Sequence, residues 1–178
     1  MSKEREPVTF PDIDQMIAGM NRMFLQPVST SLTNLGMDRA DNFYMALKAE
    51  VAELDEALVL NSETGQESID MVAFADTCGD LIVYILSECQ KMGIPIMHVV
   101  AEIIKSQPTK LVDGKPIKAP CGTKWGKGPN FIGPEAAIED LLRAVACKED
   151  REDIDSGKIS LYSYPAERRM LIPKADQV

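Results

Sequence analysis

The sequence predicts an all-α fold, and three observations carry that expectation. Apolar residues make up 45% of the 178-residue chain, yet aromatics reach only 6%, so Ala, Leu, Ile and Met supply most of the candidate core. Those residues recur at helical spacing through several long segments. Polar or Pro/Gly-rich stretches separate the segments. The length suits one domain spanning residues 1–178, with a core over about 10–134 and a C-terminal helix and tail over 135–178.

The first predicted helix covers residues 12–25, where Ile13, Met16, Ile17, Met20 and Phe24 fall on one face. Pro27 and the polar STSLTN stretch interrupt it. A longer helix is expected from about Asp38 to Leu60, with Phe43, Leu47, Val51, Leu54 and Leu58 as its stripe; Asn61 then opens the turn NSETG. A third runs from about Gln66 to Met92. Gly93 stops it as a left-handed residue, with Pro95 two positions later. A fourth occupies Pro95 to Ser106. Residues 108–134 hold five of the 11 prolines and five of the 11 glycines, the composition of a long loop, and loops of that length are usually functional or disordered. A last helix is expected from Pro134 to Glu149, followed by a loosely structured tail. The prediction is a bundle of four to five helices with a long Lys/Gly/Pro loop after its core.

A net charge of -9 argues against nucleic acid or an anionic membrane as the main partner. The longest apolar run, Leu81 to Leu86, is far shorter than a spanning helix needs. The N-terminal MSKEREPVTF has no apolar signal core, so a cytoplasmic location is expected. Cys78, Cys89, Cys121 and Cys147 form no CxxC pattern and read as reduced thiols. His98 is the single histidine and reads as a packed or surface residue. No G-x-S-x-G is present to support a serine hydrolase.

Charge is distributed unevenly. Between Ala49 and Gln90 there are ten acidic residues and neither Lys nor Arg. Most can be solvated surface groups. Glu50 and Glu53 are three apart on one helix face, and Asp76 and Asp80 are four apart on the next helix. The aspartates interrupt an apolar stretch (Val72 to Ala75, then Leu81 to Val83), which predicts partial burial. Buried carboxylates need a counter-charge. Two antiparallel helices would bring the pairs together, and Mg²⁺ or Mn²⁺ prefers such hard oxygen ligands. A solvated acidic face, or lysines arriving from elsewhere in the fold, would answer the same pattern.

The loop has the opposite sign. Lys105, Lys110, Lys115, Lys118, Lys124 and Lys127 share a span whose only acid is Asp113. Gly122, Gly126 and Gly128 would let the backbone approach a ligand. Lysines facing a metal-carboxylate site suit a polyphosphate; taken alone, the loop is better read as an ordinary soluble one in which lysine keeps the surface wet. Trp125, between two of these lysines, could stack on a nucleobase or anchor the loop. Asn21 could read a base edge or face solvent.

The order of these parts resembles the MazG-like and phosphoribosyl-ATP pyrophosphohydrolase-like superfamily. Its marks here are EVAE (Glu50, Glu53), DTCGDLIVYIL (Asp76, Asp80), KMGIP, and SQPTK with DGK and KWGKGPNF. The match covers roughly residues 10–134. It departs where Ala49 replaces a doubled glutamate, where Ala73 and Thr77 are not acidic, and where Gln107 replaces an Asn. The resemblance implies that Glu50, Glu53, Asp76 and Asp80 hold Mg²⁺ or Mn²⁺ and carry catalysis. It implies that a nucleoside triphosphate is cut to monophosphate and pyrophosphate, with Lys110, Lys124 and Lys127 on the phosphates and Trp125 and Asn21 as further substrate contacts. It also implies a homodimer or homotetramer.

The compact form resembles phage-borne members that trim deoxynucleotide pools, which points to a deoxypurine triphosphate, dGTP first. dUTP, dCTP or phosphoribosyl-ATP are the alternatives within the superfamily. From another class, a non-catalytic acidic helical oligomer binding a protein partner would also account for the charge.

Overall fold

A computed structural model describes residues 9–60 and 67–164. Among them are six α-helices and one two-stranded hairpin, so the fold is all-α in class. The residues before Ile94 form one compact unit, and Ile94–Tyr164 form another. The expected turn after Asn61, Glu63, the expected helix start at Gln66 and the tail beyond Tyr164 lie outside the described residues.

The first unit contains α1 (Phe10–Met23), α2 (Met37–Glu56) and α3 (Met71–Lys91). Helix α1 begins two residues earlier than its stripe suggests. Thr9 is extended there, and its N–H donates to the Asp12 carboxylate at 3.0 Å, which satisfies one of the donors a helix start leaves open. Helices α1 and α2 both pack on α3.

The sequence extends the second helix to Leu60 and restarts helix at Gln66; the structure corrects both bounds. Leu58–Leu60 (β1) pairs antiparallel with Glu67–Ile69 (β2), with Leu58 opposite Ile69. The Asp70 carboxylate then accepts from the N–H groups of Val72 and Ala73, each at 3.0 Å. That side-chain cap, four residues beyond Gln66, sets the true start of α3. The hairpin turns the chain so that α2 and α3 run antiparallel.

The polar stretch after α1 has a role beyond breaking the helix. Ser29 N–H donates to Gln90 O at 3.0 Å, Ser29 Oγ to Lys91 O at 2.6 Å, and Thr33 N–H to Met92 O at 2.9 Å. These bonds satisfy carbonyls that the end of α3 leaves open. Gly93 sits there with φ +66, and a Cβ would lie 2.1 Å from Ser31 O. Only glycine fits that position.

The second unit contains α4 (Ile96–Ser106), a 3₁₀ turn (Gln107–Lys110), α5 (Glu135–Val145), α6 (Lys148–Asp155) and a 3₁₀ turn (Leu161–Ser163). Helix α4 packs on α5. The sequence merges α5 and α6 into one helix ending at Glu149. The chain instead turns extended at Ala146 and Cys147, and Arg151 reaches back to the carbonyls of Ala144 (3.0 Å) and Ala146 (3.1 Å). An arginine donating to those carbonyls stabilises the break where no glycine marks it.

Between Lys110 and Glu135 the chain is non-helical, as expected, and hydrogen-bonded along its length. Val112 bridges Lys115 around Asp113 (φ 50) and Gly114 (φ 74), and Lys118 bridges Trp125. Asp-Gly in two successive left-handed conformations is the pattern of a tight hairpin turn. Thr109 Oγ1 accepts from Ile132 N–H at 3.0 Å and closes the loop onto its own base. None of the described helices is long and apolar enough to cross a membrane.

Candidate metal centre

Glu50, three turns into α2, is its one buried residue, at 9% exposure. Its Oε2 is buried with no hydrogen-bond partner among the described residues. Burial pushes the Glu50 carboxyl up from its ordinary range, and the charges of Glu53, Asp80 and Asp76 push it further. These three are the groups the sequence singles out. The antiparallel packing of α2 on α3 therefore gathers all four carboxylates into one field.

No ion pair among the described residues involves any of the four. Glu53, Asp76 and Asp80 are exposed, which corrects the expected partial burial of the two aspartates. The apolar run around them is not core in the single chain: Val72 is 81% and Ile82 56% exposed, while the buried residues of α3 are Thr77, Ser87, Glu88 and Lys91.

As the side chains stand, no three acidic, histidine or cysteine groups among the described residues converge as ligands around one point. The donor set nonetheless suits a hard divalent cation. It offers four carboxylates, all oxygen, with one buried oxygen lacking any partner. Three of the four stand at the surface.

Beside this cluster lies a cavity of about 380 Å³, and Asp80 lines both. Met20, Phe24, Val83 and the Tyr84 ring form its apolar walls; Asn21, Gln26, Ser87, Arg39 and Lys91 are its polar groups beside Asp80. Asn21 is 1% exposed, so it is no solvated surface residue. Its Oδ1 accepts from Ser87 Oγ at 2.6 Å, and its Nδ2 donates to Gln90 Oε1 at 3.3 Å and Ser87 O at 3.4 Å. Arg39 holds Glu88 in a fork, Nε to Oε1 at 2.9 Å and Nη2 to Oε2 at 2.7 Å. Lys91 Nζ adds a contact to Glu88 Oε2 at 3.3 Å. Arg39, Glu88 and Lys91 escape sequence reasoning, since Arg39 and Glu88 are 49 residues apart and no local pattern joins them.

Compared as a whole with models of known protein families, the chain matches none. The curated proteins give no match either. The weight of any reading therefore falls on the residues themselves.

The loop residues belong to the second unit. Lys110 and Lys127 flank one ring, with Nζ 5.9 and 4.5 Å from the centre of Phe131. Lys118 stacks on Trp125 at 4.0 Å. Trp125 is 55% exposed and, with Lys110, lines a smaller cavity of about 170 Å³. Lys124 is exposed. Two of the loop glycines serve packing: a Cβ at Gly128 would meet Val112 at 2.9 Å, and one at Gly126 would meet Ile117 at 3.1 Å. Cys121 is exposed, and hydrogen bonds from the Thr123 hydroxyl and nearby backbone lower its thiol from the ordinary value.

Proposed function

We propose that the chain is a metal-dependent nucleoside triphosphate pyrophosphohydrolase, with Glu50, Glu53, Asp76 and Asp80 as ligands for Mg²⁺ or Mn²⁺. The observation that carries the reading is Glu50: a buried carboxylate with an unpartnered oxygen, among three further carboxylates, none of the four in an ion pair among the described residues. Burying like charges together is unfavourable unless a cation joins them. The motif order that resembles the MazG-like superfamily supports the same assignment.

A bound divalent ion supplies a Lewis acid for the phosphate oxygens. One of the four carboxylates takes the proton of the attacking water. The water oxygen bonds to the α-phosphorus, the bond to the α–β bridging oxygen breaks, and pyrophosphate leaves with that oxygen. Lys110, Lys124 and Lys127 are proposed phosphate contacts, on the strength of their charge and of the loop sequence. A (deoxy)nucleoside triphosphate, dGTP first, is the proposed substrate, and a homodimer or homotetramer the working form. Val51 (54% exposed), Leu58 (55%) and Val72 (81%) leave apolar area for a second copy to cover.

The test is hydrolysis of the eight common NTPs and dNTPs in ¹⁸O water, with Mg²⁺, Mn²⁺ or EDTA. The reading expects pyrophosphate and labelled monophosphate, abolished by EDTA. Diphosphate with phosphate, or label in pyrophosphate, would move the attack to another phosphorus. No turnover of any triphosphate by well-folded protein would favour the acidic binding protein.

A further inference from the structure

We propose that Arg39, aimed by Glu88, is the specificity-determining donor of the cavity beside Asp80, and that it selects a base carrying a ring oxo group over one carrying an amino group. The inference rests on the reading of the acidic cluster as a polyphosphate site.

Position makes this cavity the place for the rest of the nucleotide. Asp80 lies on its rim and in the carboxylate cluster at once. From Asp80 to Ser87 on α3 is about two helical turns, roughly 11 Å of rise, so a ligand held by its phosphates at the cluster extends its base along α3. The volume, about 380 Å³, falls within the range of small-molecule sites. Phe24 and Tyr84 offer aromatic surface for a planar ring.

Hydrogen-bond accounting sets what the ring must present. Asn21 and Ser87 use their polar atoms on each other and on Gln90. Arg39 uses Nε and Nη2 on Glu88, while Nη1 makes no hydrogen bond among the described residues. Lys91 has three protons and one contact, the 3.3 Å approach to Glu88. Two cations therefore share one carboxylate, and the capacity left on that pair of cations consists of donors; the acceptor oxygens of Gln26, Tyr84 and Asp80 belong to the same lining. The fork to Glu88 also fixes the plane of the guanidinium.

A ring with acceptors satisfies those donors. Guanine presents O6 and N7, and thymine or uracil presents O4; adenine and cytosine present amino groups at the matching positions. An amino group facing these donors leaves both sides unsatisfied. Guanine, with two adjacent acceptors, is the closest match for an arginine.

The experiment is calorimetric titration of the full chain, in Mn²⁺, with non-hydrolysable α,β-imido analogues of dGTP, dUTP, dATP and dCTP. Binding is then read whether or not the chain turns triphosphates over. The oxo-base analogues are expected to bind about tenfold or more tighter than the amino-base ones, and Arg39→Gln is expected to erase that ratio while amino-base binding stays within twofold. The wild-type ratio decides the matter without the variant, should Arg39→Gln fold poorly. Equal binding of all four, preference for amino bases, no binding, or a ratio kept in folded Arg39→Gln each overturns the inference. Base selection without turnover in the ¹⁸O assay would sink the pyrophosphohydrolase reading and leave the pocket assignment standing; turnover without base selection would do the reverse.

Discussion

The acidic pair α2/α3 and the lysine loop of the second unit carry opposite charge and settle it in opposite ways. On the loop, Lys118 rests on Trp125, Lys110 and Lys127 rest on Phe131, and Lys124 faces water. Exposed cations over aromatic faces are comfortable where they stand. On the helices, Glu50 is buried among its own kind with an oxygen unanswered. The loop lysines each have an aromatic face or water, whereas the helix pair holds an unfavourable arrangement that a cation would relieve. Unrelieved electrostatic cost inside a fold is a pointer to function; comfortable surface charge is not.

That contrast can be broken by substitution. The largest effect is expected at the cluster itself. Glu53→Gln or Asp80→Asn should lower turnover by on the order of a thousandfold or more, with helical circular dichroism unchanged because both side chains are exposed. Activity kept within tenfold would remove these two residues from the chemistry.

Next comes stability away from the cluster. Glu88 is the buried anion between Arg39 and Lys91, with 6% of its side chain exposed. Glu88→Gln strands a buried lysine and should destabilise the first unit by about 3 kcal/mol, a fall in Tm on the order of 10 °C. Lys127→Ala on the loop should change stability by less than about 0.5 kcal/mol. Equal losses at the two sites would contradict the comparison.

The third effect is a dependence on pH and metal. A carboxyl whose folded pKa is raised binds its proton more tightly in the folded chain. Its stabilising contribution is present at low pH and is lost as pH rises from the ordinary glutamate range through the raised folded value. In EDTA at neutral pH, Glu50→Gln should therefore melt a few degrees above the parent chain. Saturating Mn²⁺ should reverse the order, since the parent gains a ligand the variant binds poorly. A variant that melts lower in EDTA at neutral pH would mean Glu50 is already satisfied without metal.

The smallest effect concerns thiols. Cys121 is exposed with its pKa lowered, while burial and the charge of Glu88 push Cys89 up to about 11. Alkylation of the native chain at neutral pH should modify Cys121 first and Cys89 far more slowly. Mass mapping that finds Cys89 reacting first would contradict the packing around α3.

Much of the fold was legible because helical periodicity and Gly93 are local signals. The hairpin at β1 and β2 was not, since Leu58 continues the apolar stripe of α2 and only the partner strand distinguishes it. The break at Ala146 was hidden because Arg151, five residues downstream, supplies the cap that a glycine would announce. At the candidate site, spacing alone placed two acidic pairs on facing helices. It could not tell that Glu50 would be the buried member and Asp76 and Asp80 exposed, because burial depends on which face of α3 meets α2 and α1. The Arg39–Glu88–Lys91 group was beyond reach, for its parts meet only across the packed helices.

Isothermal titration of the full chain with Mn²⁺, beside Glu50→Gln and Asp80→Asn, reads the metal centre itself. Saturable binding to the parent chain is expected, weakening at least about tenfold in each folded variant. Binding of equal strength in all three, or none to the parent, would contradict a metal centre at these carboxylates.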